Sequence, residues 1–134
     1  MKQLILMLFV FTSITFNLNA QKVVKVTITT KSSISYALDK CKEAGKAAKF
    51  GSRNYEANDQ SGKVTLWQTV GALTQADFYC DITATYKDGV TTLNFRMPHT
   101  PGLISTSWTR ELKKITKRLD LPEMMVGKYF DDIE

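Results

Sequence analysis

Few side chains in this chain of 134 residues could carry out chemistry. His99 is the single histidine, so a zinc site built from several imidazoles is excluded. Any serine triad would have to be built on this one residue. It stands in the run Pro98-His99-Thr100-Pro101-Gly102, which reads as a loop with a solvent-exposed imidazole. Cys41 and Cys80 are the only cysteines, and they form no CxxC pair and have no neighbouring His, which argues against a redox-active dithiol. Asp131-Asp132 pairs two carboxylates. Glycoside hydrolysis needs two carboxyls facing each other across a cleft, whereas adjacent acids in a polar tail read as solvated charge. No GxGxxG, Walker, GxSxG or HExxH pattern occurs. The inventory implies no metal and no cofactor, and it does not indicate an enzyme.

Composition points to one globular domain, with 43% hydrophobic and 23% charged residues. The net charge of +5, from 18 Lys and Arg against 13 Asp and Glu, permits anionic partners without requiring them. Met1-Lys2-Gln3, the apolar run Leu4 to Phe11 and the polar stretch Thr12 to Ala20 have the three-part layout of a secretory signal peptide cleaved after Ala20. The alternative is a retained anchor, but a spanning helix needs about 20 apolar residues and this run is shorter. The expectation is therefore export to the periplasm or beyond. The mature chain would start at Gln21, form one domain over residues 21–121 and end in a loosely ordered tail over 122–134, with no transmembrane segment.

The elements that must position these residues follow from periodicity. Val24, Val26 and Ile28 alternate with Lys25, Thr27 and Thr29, which predicts a half-buried strand. After Ser32-Ser33, Ile34, Leu38, Cys41, Gly45 and Ala48 recur at helical spacing, predicting an amphipathic helix closed near Gly51 as a C-cap. Arg53 to Asn58 and Lys63 to Val70 flank Asp59-Gln60-Ser61-Gly62 as a hairpin. Pairing Asn58 with Lys63 would set Tyr55 opposite Leu66 and Asn54 opposite Trp67. A second hairpin turns on Asp88-Gly89, a type I′ dipeptide. Its register pairs Ala84 with Leu93, Ile82 with Phe95 and Cys80 with Met97 on one face. The other face receives Thr83 with Asn94 and Asp81 with Arg96, a cross-strand ion pair. Trp108, Leu112, Ile115 and Leu119 predict a second amphipathic helix over Ser107 to Leu119.

The order β-α-β-β-β-β-α predicts an α+β two-layer sandwich, a five-stranded mainly antiparallel sheet with two helices on one face. The first helix would then cover the strand bearing Cys80. In an oxidising compartment Cys41 and Cys80 either join in a disulfide, which contributes ~4 kcal/mol on the chain-entropy model, or remain separate buried thiols.

From Val23 to Leu119 the chain resembles small exported bacterial domains of unknown function that have a TBP-like fold. The resemblance rests on the signal peptide followed by βαββββα, the turn Asp59-Gln60-Ser61-Gly62-Lys63-Val64, and the Tyr86-Lys87-Asp88-Gly89 hairpin leading to Arg96. It implies the fold and supplies no active-site residues.

Two surfaces remain. The open sheet face would present Trp67, Tyr79, Thr83, Asn94 and Arg96, an aromatic and hydrogen-bonding mixture suited to a protein or envelope glycan. The alternative for Trp67 is cover by the C-terminal tail. The outer side of the second helix carries Arg110, Lys113, Lys114, Lys117 and Arg118, a candidate anion site that the acidic tail would screen. Nucleic acid is disfavoured, because the open face has few cations to neutralise phosphates. The expected function is an exported non-catalytic binding domain of unknown ligand. The competing class is a small enzyme or ligand carrier with a pocket between sheet and helices.

Overall fold

A computed structural model describes residues 21–70, 76–99 and 107–134. The expected signal segment and its cleavage after Ala20 lie outside the described residues, as does the loop from Thr100 to Gly102. The protein is α+β, with a mostly antiparallel sheet and two helices. Among the described residues no helix is long and apolar enough to cross a membrane.

Strand β1 (Lys22–Thr30) turns Val24, Val26, Ile28 and Thr30 inward, all buried, as its alternation requires. Helix α1 (Ile34–Ala47) starts at Ser33, whose hydroxyl accepts the Tyr36 N–H at 3.3 Å and so satisfies one free donor of the first turn. It does not end on Gly51. Lys49 takes the left-handed conformation at φ 69°. The Phe50 N–H bonds the Gly45 carbonyl at 2.7 Å and the Lys49 N–H bonds that of Lys46 at 3.0 Å, which is a Schellman closure with a lysine where glycine is usual. Buried Phe50 then anchors the exit.

That earlier closure frees Gly51 to begin β2 (Gly51–Ala57), which pairs with β3 (Ser61–Val70). The register differs from the sequence expectation. Asn58 accepts the N–H groups of Gln60 and Ser61 on its own side chain, each at 2.9 Å, so the turn tightens around Asp59-Gln60 and Ala57 pairs with Gly62. A bulge between Arg53 and Glu56 then sets Gly51, not Asn54, opposite Trp67. Asn54 takes φ 58° there, a conformation Asn tolerates. Tyr55 is left on the outside rather than opposite Leu66, with Lys42 Nζ 4.7 Å from its ring centre. Gly62 instead serves the helix above it: a Cβ there would lie 2.7 Å from Leu38 Cδ1 and 2.8 Å from the Glu56 carbonyl oxygen.

Strands β4 (Ala76–Lys87) and β5 (Val90–Pro98) join through Asp88 and Gly89, both at positive φ, in the expected register from Asp81 with Arg96 to Lys87 with Val90. Helix α2 (Trp108–Thr116) is capped by Ser107, which accepts the Arg110 N–H at 3.3 Å. It buries Trp108, Leu112 and Ile115, and Leu119 follows it into the core.

The sheet order is β2-β3-β4-β5-β1, and two further strands raise its number above the expected five. Strands β6 (Met125–Val126) and β7 (Phe130–Ile133) both pair antiparallel with the outer edge of β1. The tail is therefore ordered onto the sheet. Tyr129 holds the segment between them, its hydroxyl 2.6 Å from that of Thr116. Both helices pack on one face, over Val26, Leu66, Ile82, Leu93, Phe95 and Met97.

Candidate functional site

The helices leave the other sheet face uncovered, and strand alternation decides what stands on it. Val26, Ile82, Ala84, Leu93 and Phe95 turn into the core, so Lys25, Thr27, Asp81, Thr83, Asn94 and Arg96 turn out. Register aligns them: Asp81 opposite Arg96 and Thr83 opposite Asn94, then Arg96 opposite Lys25 and Asn94 opposite Thr27. These six, with Phe130 from β7, line a cavity of about 250 Å³.

Its charges are paired across strands. The Arg96 guanidinium donates to Asp81 at 3.3 Å and to Glu134 at 2.5 Å. Lys25 Nζ reaches Glu134 at 2.7 Å and Asp132 at 2.9 Å. Thr65 completes the row by donating to Asp81 at 3.0 Å. With Arg96 and Lys25 both bonded to it, the Glu134 carboxyl is held down to about 2, and Lys25 lowers Asp132 likewise. The carboxylates in turn raise Lys25 and Arg96. At neutral pH Glu134 and Asp132 thus hold cations and carry no proton to deliver. Thr27 donates to the Asn94 side-chain oxygen at 2.9 Å, and among the described residues the Asn94 amide nitrogen and the Thr83 hydroxyl stay available to bond a ligand.

Trp67 and Tyr79 lie on the same face but beside the cavity rather than in it. They are cross-strand neighbours. The Arg53 guanidinium stands 5.7 Å from the Trp67 ring centre and 5.0 Å from that of Tyr79, so one cation spans both rings. Trp67 remains 37% exposed and lies against Gly51, where a Cβ would come 3.0 Å from its Nε1. The β6–β7 tail lies along β1, at the far side of the sheet from β3.

Of the residues singled out in the sequence, Thr83, Asn94 and Arg96 meet in one cavity, and Trp67 and Tyr79 form a platform next to it. Lys25, Phe130, Asp132 and Glu134 join the site unforeseen. The alternation of Phe130, Asp132 and Glu134, matched in charge to Lys25 and Arg96, was the available signal.

The basic face forms a separate groove of about 320 Å³ along α2, lined by Arg110, Lys113, Lys114, Lys117 and Arg118 with Ser107 and Thr109. Of the tail acids, Asp132 and Glu134 are engaged on the sheet face and Asp131 lies 3.8 Å from His99 Nε2. His99 is not a free loop imidazole either. Its ring stacks on Trp108 with centroids 5.0 Å apart, while Trp108 meets Phe78 edge-on at 4.9 Å. Burial lowers the His99 pKa, outweighing Asp131. Cys41 and Cys80 are buried and unbonded. Burial pushes the Cys41 thiol up to about 12 and raises Cys80 as well, so both behave as small core hydrophobes.

Comparison with known protein families and with characterised proteins finds no match to this chain.

Proposed function

We propose that this chain is an exported, non-catalytic binding domain that takes a protein or an envelope glycan on the open face of its sheet. The observation that carries this reading is the convergence of Thr83, Asn94, Arg96, Lys25, Thr27, Asp81 and Phe130 on one cavity of that face, beside the Trp67–Tyr79 platform. The interior beneath the helices is packed, with Leu38, Leu66, Ile82, Met97 and Leu112 fully buried, and the groove of about 530 Å³ between α1 and β2 lies at its rim, lined by Asp39, Lys42, Glu43, Lys46, Phe50, Gly51 and Ser52. The packed interior favours the open face over a carrier pocket enclosed between sheet and helices. Export rests on the N-terminal segment. The order β1-α1-β2-β3-β4-β5-α2 with both helices on one side supports a TBP-like arrangement to which β6 and β7 are additions. Fold analogy with a DNA-binding sheet does not extend to function, because Lys25 and Arg96 are already matched by carboxylates.

The test compares affinity capture from the native envelope by the wild type and by Thr83→Lys/Asn94→Lys, which fills the cavity from two exposed positions. A molecule retained by the wild type and lost by the double variant at unchanged thermal stability supports the proposal. Equal capture by both refutes it.

A further inference from the structure

We infer that the outer face of α2 docks on an anionic phospholipid surface. From Gln21 onward the chain carries 17 Lys and Arg against 13 Asp and Glu. Five of those cations and one of the acids, Glu111, fall within residues 107–118. Everything else balances, twelve against twelve. The net charge of this part of the molecule is therefore the charge of one helix.

Geometry gathers it further. Arg110, Lys113, Lys114, Lys117 and Arg118 recur at spacings that keep them on one side of a helix, along about 12 Å of its axis. The opposite side, with Trp108, Leu112 and Ile115, is buried in the core. Little of the charge is cancelled. Glu111, bonded to Lys114 at 2.9 Å, offsets one unit and leaves four. Arg110 and Lys117 have no ion pair among the described residues. Of the acids at the C-terminus, Asp132 and Glu134 are bound to Lys25 and Arg96 on the sheet, and Asp131 lies 3.8 Å from His99 Nε2.

A flat array of cations with no exposed ring among its lining residues suits a plane of headgroup phosphates better than splayed single-strand bases, which call for aromatic stacking. The expected export would also bring it to membranes and away from nucleic acid. Docking through α2 leaves the open sheet face, on the other side of the sheet, free for its own partner. The inference therefore stands apart from the proposed function.

The test uses protein recovered from its native host, vesicles of phosphatidylglycerol and phosphatidylcholine in equal parts, and vesicles of phosphatidylcholine alone, with binding read by sedimentation. Each Lys or Arg near an anionic surface contributes ~1 kcal/mol, about fivefold in partitioning, so Arg110→Gln/Lys117→Gln is expected to weaken binding about 25-fold. Lys46→Gln/Lys87→Gln removes the same net charge from exposed positions elsewhere and should leave binding within about twofold. Raising ionic strength from ~0.1 M to ~1 M, which shortens the Debye length from ~10 Å to ~3 Å, should release the wild type. Equal loss in the two double variants, equal binding to phosphatidylcholine alone, or tighter binding to a DNA duplex than to the mixed vesicles would overturn the inference.

Discussion

Truncating Trp67 to alanine tests whether the open face is a surface or a hidden part of the core. Trp67 is 37% exposed, so nearly two thirds of it is covered by Gly51, Tyr79 and the Arg53 guanidinium. Fully burying a large apolar side chain contributes ~1.5–3 kcal/mol, and the covered fraction here corresponds to about 1–2 kcal/mol. An exposed cation–π contact adds ~0.5–1 kcal/mol. Trp67→Ala should therefore cost about 2 kcal/mol, more than a bare surface aromatic would. Phe95 is 1% exposed beneath the helices, and its truncation should cost ~3–5 kcal/mol. For a domain of this size 1 kcal/mol moves the midpoint by about 4 °C. Thermal unfolding should thus show losses of about 8 °C for Trp67→Ala and about 12–20 °C for Phe95→Ala. Arg53→Ala alone should recover about 2–4 °C of the Trp67 effect. Acrylamide quenching provides a second readout, because Trp108 is 9% exposed and the accessible emission belongs to Trp67. Equal losses for Trp67→Ala and Phe95→Ala would place Trp67 in the core. No loss at all would mean that Arg53 does not hold the ring.

Lys49→Gly should stabilise the fold by about 1 kcal/mol, seen as a higher urea midpoint at unchanged slope, because glycine removes the left-handed strain of a side chain at φ 69°. Gly62→Ala should cost about 1–3 kcal/mol, since its methyl would meet Leu38 and the Glu56 carbonyl below 3 Å; unchanged thermal stability would refute the close approach of α1. Glu134, depressed from 4.5 to about 2, contributes stability that is complete above pH 4.5 and is lost as pH falls toward 2, so the protection factor of the Gln21 amide, which bonds the Glu134 carbonyl, should fall over that window and Glu134→Gln should abolish the dependence. His99, depressed below 6.5 by burial, contributes stability that is complete above pH 6.5 and declines as pH falls below it; His99→Phe should flatten that part of the pH–stability curve.

The β4–β5 hairpin was legible because every cue agreed: Asp88-Gly89 sets the turn, and alternation sends Ile82 and Phe95 to one face and Asp81 and Arg96 to the other. The β2–β3 hairpin misled because its register is decided by the Asn58 side chain and by a bulge at Asn54, neither of which leaves a periodic trace. Gly51 and Gly62 looked like a cap and a turn residue. One lies against a tryptophan ring and the other beneath a helix, contacts that exist only after the layers assemble. The tail was missed for a related reason. Strands of two and four residues are too short for the alternation of Phe130, Asp132 and Glu134 to define an element alone, and their stability comes from the β1 edge and from Lys25 and Arg96, far away in sequence. His99 was misread because its partner Trp108 reaches it only through the packing of α2. The cavity was thus half visible: its β4 and β5 wall could be read, and its β1 and β7 wall could not.

Lys25 has a second consequence, which belongs to the time before the fold exists. Its contact with Asp132 spans 107 residues of sequence, against 15 for Arg96 with Asp81. The Asp88-Gly89 hairpin can close within microseconds, whereas β1 must wait for β5 on one side and for the tail on the other, the slow kind of pairing. Throughout that wait Val23 to Thr30 is a β-branched stretch able to pair with any neighbouring chain. The lone ammonium in its middle interrupts it as a gatekeeper charge does. The cation that later receives two tail carboxylates thus first keeps the unfinished strand from aggregating.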